Sequence, residues 1–142
     1  MKAIRHFGIV VSDIKKSLHF YRNLLGFKIK KDMLEESKFI DNILNLKNVK
    51  VRTIKMSADD DNLVELLWYK SHPRKPNKKE ICDIGASHIA FTVDNLDCEY
   101  KRLKKQRIKF SCPPRISPDG RAKVTFCYDP DGTPIELVEE LN

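Results

Sequence analysis

His6-Phe-Gly-Ile-Val-Val-Ser-Asp-Ile14 and His88-Ile-Ala-Phe-Thr-Val-Asp-Asn-Leu96 are two versions of one segment, set 82 residues apart in a chain of 142. Each opens on a histidine, runs through apolar residues and closes on short polar residues of the type that caps a helix. A second correspondence lies further on, where Val64-Glu65-Leu66-Leu67 matches Ile135-Glu136-Leu137-Val138 at a distance of 71 residues. Two matched segments in the same order point to an internal repeat.

Working outward, the first copy continues past Ser12 and Asp13 into a helix with apolar positions Ile14, Leu18, Tyr21 and Leu25, which Gly26 ends. Strand patterns follow at Phe27 to Met33, Val49 to Met56 and Leu63 to Tyr69. In the second copy Ala86 to Val93 is the strand, Asp94 can cap, and Leu96, Tyr100 and Leu103 mark the helix. Strands are expected at Ile108 to Cys112, Ala122 to Tyr128 and Ile135 to Glu139, with the turn Asp129-Pro-Asp-Gly132 between the last two. The prediction is an α+β chain of two tandem βαβββ modules in a single domain, 1–142. Module 1 covers about 1–69, a linker about 70–84, and module 2 about 85–142. The second module is 11 residues shorter between its outer strands, and the segment Glu35 to Asn48 can absorb most of that difference.

Hydrophobic residues make up 41% and charged residues 33%, a globular composition with a heavily solvated surface. No apolar run approaches the ~20 residues needed to cross a bilayer, and Met1 to Arg5 opens directly into a strand-like segment, so a cytoplasmic protein without a membrane partner is expected. Cys82, Cys98, Cys112 and Cys127 are widely spaced and form no Cys-x-x-Cys pair, which fits reduced thiols. The net charge of +7 is concentrated in Lys70 to Lys79 and in Lys101 to Lys109. Neither stretch interleaves aromatics for stacking on bases, so nucleic acid is not the expected partner. Solvated surface is the plain reading, with steering of an anionic small molecule as the functional one.

Strand alternation separates the faces. Phe7, Ile9 and Val11 lie opposite His6, Gly8 and Val10, and Ile89, Phe91 and Val93 lie opposite His88, Ala90 and Thr92. Val64, Leu66 and Trp68 lie opposite Leu63, Glu65 and Leu67, and Ile135 and Leu137 lie opposite Pro134, Glu136 and Val138. The all-apolar faces should meet the helices. The others each carry one ionisable residue, and an unpaired carboxylate among apolar neighbours costs several kcal/mol. A divalent cation held by His6, Glu65, His88 and Glu136 would satisfy all four at once. Gly8 and Ala90 beside the histidines would leave room for a substrate. His19 and His72 have no such context.

At these residues the sequence resembles the vicinal oxygen chelate superfamily, which includes glyoxalase I, methylmalonyl-CoA epimerase, extradiol dioxygenases and bleomycin- and fosfomycin-resistance proteins. The resemblance covers nearly the whole chain. It rests on His6-x-Gly-Ile-Val-Val-x-Asp-Ile, Phe20-Tyr21-x-x-Leu24-Leu25-Gly26-Phe27, Gly85-x-x-His88-Ile-Ala-Phe-x-Val and Asp129-Pro-Asp-Gly-x-x-Ile135-Glu136-Leu137. It implies mixed sheets curled together into an open cup, helices outside and the metal on the floor. It also implies a chain that commonly pairs as a homodimer. All four positions of the ligand pattern are filled here. A dioxygenase-like site would use only His6, His88 and Glu136, and a drug-binding resistance protein would lose the ligands, so Glu65 favours the glyoxalase and epimerase branch.

Two nitrogens and two carboxylate oxygens leave two positions of an octahedral ion open, which suits Ni, Co, Zn, Mn or Fe. Such an ion stabilises the charge that develops when a proton leaves the carbon next to a carbonyl. By the same resemblance, Glu136 or Glu65 would act as the base, with the symmetry of the site preventing a choice. Glu35 and Glu36 are candidates for a separate base but read better as a solvated loop. The expected activity is that of a lactoylglutathione lyase or an acyl-CoA epimerase, with a small carbonyl compound, thiol adduct or acyl-CoA as substrate. An extradiol-type dioxygenase and a non-enzymatic drug-binding protein are the alternatives.

Overall fold

A computed structural model describes residues 2–141. The chain divides into two compact units, Met1–Pro76 and Asn77–Asn142. The first contains β1 (Phe7–Val10), α1 (Ile14–Leu18) continuing as a π-helical segment (His19–Leu24), β2 (Lys28–Glu35), α2 (Lys38–Leu44), β3 (Val51–Ser57) and β4 (Val64–Tyr69). The second contains β5 (Ile89–Thr92), α3 (Leu96–Lys105), β6 (Arg115–Ile116), β7 (Ala122–Tyr128) and β8 (Pro134–Glu140). Each unit holds one four-stranded mixed sheet, with order β1-β4-β3-β2 in the first and β5-β8-β7-β6 in the second. The two βαβββ modules read from the sequence are thus present.

In both units the outer strand in sequence, β1 or β5, pairs parallel with the last strand, β4 or β8, and the remaining pairs are antiparallel. A parallel pair needs a crossover, and the helix after the first strand provides it. α1 packs on β4 and α3 on β8. Ile9, Ile54, Met56, Val64 and Leu66 are buried in the first unit, and Ile135, Leu137, Leu96 and Leu103 in the second. The apolar strand faces therefore form the cores, as the alternation required.

The helix caps are chemically specific. Asp13 Oδ1 accepts from the backbone N–H groups of Lys15 and Lys16 at 3.0 and 3.1 Å. Helix α3 is capped by Asn95, whose side chain accepts from Cys98 N–H at 2.9 Å, and not by the neighbouring Asp94. Glu139 of β8 adds a carboxylate at the same end, accepting from Leu96 N–H at 2.7 Å. It is favoured there by the positive end of the helix dipole.

Three elements depart from the sequence expectation. The π-helical segment shifts the buried face of the first helix, so Ser17, Phe20 and Tyr21 are buried with Ile14, while Leu18 and Leu25 are only half-buried. Of the two residues read as a solvated loop, Glu36 is exposed between elements but Glu35 ends β2, and the segment beyond them holds a helix that was not expected, α2, capped by Ser37. Ile40 and Leu44 of α2 pack on Val49, Val51, Leu67 and Tyr69. Finally, Ile108 to Cys112 forms no regular strand: Phe110 makes an isolated bridge to Cys127, and the paired strand is Arg115–Ile116 beyond Pro113 and Pro114. Two successive prolines lack the N–H groups that would continue a ladder. Where unambiguous elements were read, their limits differ by one to three residues at most ends.

The basic residues between Lys101 and Lys109 are exposed, as are those of the Lys70 to Lys79 stretch, in keeping with solvated surface. Among the described residues no helix is long and apolar enough to cross a membrane.

Two outcomes follow. Leu66→Ala should cost about 2–5 kcal/mol in denaturant unfolding, because Leu66 is fully buried, whereas Leu34→Ala on the exposed face of β2 should stay within about 0.5 kcal/mol. Cys82, Cys98 and Cys112 are exposed, while burial pushes the Cys127 thiol up to about 12. A disulfide-exchange reagent at pH 8 should therefore titrate three thiols in the native protein and the fourth only on unfolding.

Candidate metal-ligating pairs

The parallel pairing of each unit sets the site residues. Gly8 lies opposite Glu65 across β1 and β4, and Ala90 lies opposite Glu136 across β5 and β8. His6 and His88 each stand one residue before their strand and share a face with that small residue. With hydrogen or methyl at the opposing position, the glutamate is free to lean back toward the histidine. His6 Nε2 lies 3.1 Å from Glu65 Oε2, and His88 Nε2 lies 3.2 Å from Glu136 Oε2. The same pair, with nearly the same separation, thus recurs in both units. Gly8 cannot be enlarged freely, because a Cβ there would meet Leu67 Cδ1 at 3.1 Å.

The surroundings of the two pairs differ. Glu65 is buried, and its other oxygen lies 3.5 Å from Lys55 Nζ of β3, the residue directly opposite it in the ladder. Glu136 is half-buried, and the residue directly opposite it in β7 is Phe126. Phe126 meets the His88 ring edge-on at 5.3 Å. The expectation that Glu65 stands uncompensated is therefore corrected, since Lys55 supplies a charge partner within its own unit. Burial raises the Tyr69 phenol above its ordinary value, with the Glu65 and Glu35 carboxylates adding to the effect, so Tyr69 remains a donor at neutral pH.

The donor set and spacing fit a divalent ion. Ligand atoms about 2.1 Å from an ion and at right angles to one another stand about 3.0 Å apart, close to both observed separations. The same geometry serves a hydrogen bond when no ion is bound. Among the described residues of each unit no third His, Cys, Asp or Glu joins the pair, so each module supplies one imidazole and one carboxylate. His6 Nδ1 is buried with no hydrogen-bond partner among the described residues.

The remaining candidates fall elsewhere. His19 Nδ1 contacts Asn23 Nδ2 at 3.3 Å on the exposed side of the first helix, and His72 Nδ1 meets Ser71 Oγ at 2.7 Å. Glu36 pairs with Lys50 at 2.7 Å. Lys55 and Phe126 were missed in the sequence because a lysine or phenylalanine in a strand carries no sign of the residue it will face. Only the ladder register places them against the glutamates.

The model of the Glyoxalase/Bleomycin resistance protein/Dioxygenase superfamily matches residues 3–137. An uncharacterized protein of Escherichia coli (strain K12), YaeR, is 28% identical over 99% of this chain and 98% of its own length. A lactoylglutathione lyase of Pseudomonas putida is 31% identical over 94% of this chain and 83% of its own. Among solved structures, a glyoxalase family protein from Bacillus cereus superimposes with a TM-score of 0.88 at 18% identity, covering 100% of this chain and 96% of that one, which shows the fold.

The turn leading into β8, the strand that carries Glu136, is held by a buried carboxylate. Asp129 is buried, and its Oδ1 accepts from the N–H groups of Asp131 and Thr133 at 2.9 and 2.8 Å. Asp129→Ala should therefore cost about 1–3 kcal/mol in chemical denaturation, and it should broaden the Glu136 resonances in NMR spectra of the folded protein.

Proposed function

Because the chain belongs to the glyoxalase/bleomycin resistance protein/dioxygenase superfamily, we propose that it is a metal-dependent isomerase or lyase that moves a proton on the carbon next to a carbonyl. The supporting observation is the recurrence of the His/Glu pair, at 3.1 Å in one module and 3.2 Å in the other. In this reading His6, Glu65, His88 and Glu136 together hold one divalent ion of the Ni, Co, Zn, Mn or Fe type. When bound, the ion polarises the substrate carbonyl and stabilises the negative charge that builds on its oxygen.

The protein's own groups then divide the work. Both imidazoles would donate to the ion, and their separation into two modules lets each be fixed by its own sheet. Glu65 has both oxygens engaged, one by His6 and one by Lys55. Glu136 faces His88 through one oxygen and Phe126 across the ladder, with no ammonium paired with it among the described residues. Glu136 is accordingly the carboxylate that takes the proton from carbon. Glu65 is the fixed ligand.

The substrate class is a small carbonyl compound carried as a thiol adduct or as an acyl-CoA. The names of two similar proteins, a lactoylglutathione lyase and a methylmalonyl-CoA epimerase, lie on these two sides of the choice. The presence of Glu65 favours these over ring-cleaving dioxygenation, which uses two histidines and one carboxylate.

The test is an assay panel on the metal-loaded protein with methylglyoxal–thiol adducts, methylmalonyl-CoA and catechols. Turnover of one of the first two is expected, with kcat lowered about 100-fold or more by Glu136→Gln. Oxygen uptake with catechols that survives Glu65→Ala would contradict the reading, as would tight ligand binding without turnover in any metal form.

A further inference from the structure

We propose that Lys55 is an anion-binding residue of this site, exchanging its partner from Glu65 to a negatively charged group of the ligand. The inference rests on the reading of His6, Glu65, His88 and Glu136 as one metal centre, and it specifies the charge of what that centre takes.

Lys55 and Glu65 are direct partners in the β3–β4 ladder, so their side chains share a face. Lys55 Nζ lies 3.5 Å from Glu65 Oε1, while His6 takes Oε2 at 3.1 Å. The lysine side chain is 24% exposed, so most of its stem is covered, and its ammonium is paired with Glu65. The repeat does not account for it, since the equivalent ladder position in module 2 holds Phe126. The cation is therefore an addition to one half of a duplicated frame.

Charge counting gives it a role. A divalent ion and two carboxylates cancel when both imidazoles are neutral, and Lys55 then leaves a surplus of one positive charge. With the Glu65 charge drawn onto the ion, the ammonium has lost most of its partner. The flexible four-carbon stem lets the ammonium turn toward a new one without movement of the strand. Two hydroxyls on the same face of β3, those of Thr53 and Ser57, are buried with no hydrogen-bond partner among the described residues. Donor capacity thus flanks Lys55 on both sides. The ligand chemistry that balances the site is a small monoanion, a carboxylate or an enolate-type oxygen, next to the group that meets the ion.

The probe is a pair of ligands matched in size and differing in charge, glycolate and glycolamide, titrated into the Co2+-loaded full chain while the visible Co2+ absorption is followed. Wild type should bind glycolate more tightly than glycolamide. Lys55→Met should weaken glycolate about tenfold or more, the loss of a charge-assisted contact, and leave glycolamide unchanged. Lys55→Arg should restore most of the preference. Lys55→Met should also bind Co2+ at least as tightly as wild type, because a like charge has been removed. Wild-type preference retained in a Co2+-binding Lys55→Met protein overturns this inference and leaves the metal centre standing. Failure of the wild type to bind Co2+ overturns both.

Discussion

Everything about the site depends on the parallel pairing of the first and last strand in each module, β1 with β4 and β5 with β8. An antiparallel hairpin would bring together residues close in sequence. The parallel crossover instead brings His6 to Glu65 and His88 to Glu136 across the whole length of a module. The crossover helix keeps one face of the pair dry, and the opposite face is where a polar pair can stand. Because the second residue along that face is Gly8 in one module and Ala90 in the other, the imidazole and the carboxylate reach each other diagonally.

Much of this was legible in the sequence because it is written in periodicity. Alternation in Val64–Trp68 and Ile89–Val93 assigned the faces, and the two offsets assigned the repeat. The cap at Asp13 and the stop at Gly26, which has φ +81°, are local chemistry and were equally readable. What escaped is what depends on partners distant in the chain. α2 is short, and its apolar residues divide between buried Ile40 and exposed Phe39 and Ile43, so no single stripe marks it. Ile108 to Cys112 alternates like a strand, yet the prolines after it break the ladder. The π-helical turn is a hydrogen-bond shift, with Leu25 N–H donating to the Phe20 carbonyl at 3.0 Å, that leaves no mark in composition.

The duplication explains the arrangement of the site better than its asymmetry. Two copies of one frame supply equivalent ligands, but equivalent carboxylates would have equivalent roles. The residues across the ladder remove that equivalence, with an ammonium against Glu65 and an aromatic ring against Glu136. In the proposed site, a single register position in each sheet would separate a ligand that is held from a carboxylate that moves a proton.

The claim on which the proposal turns is that the two pairs serve one ion. Titration calorimetry of the metal-free full chain with Co2+ or Ni2+ tests it directly. One ion per chain is expected for wild type, with affinity reduced about 10- to 100-fold or more by either His6→Ala or His88→Ala alone. Two ions per chain, or undiminished binding of one ion after loss of either histidine, would contradict the account.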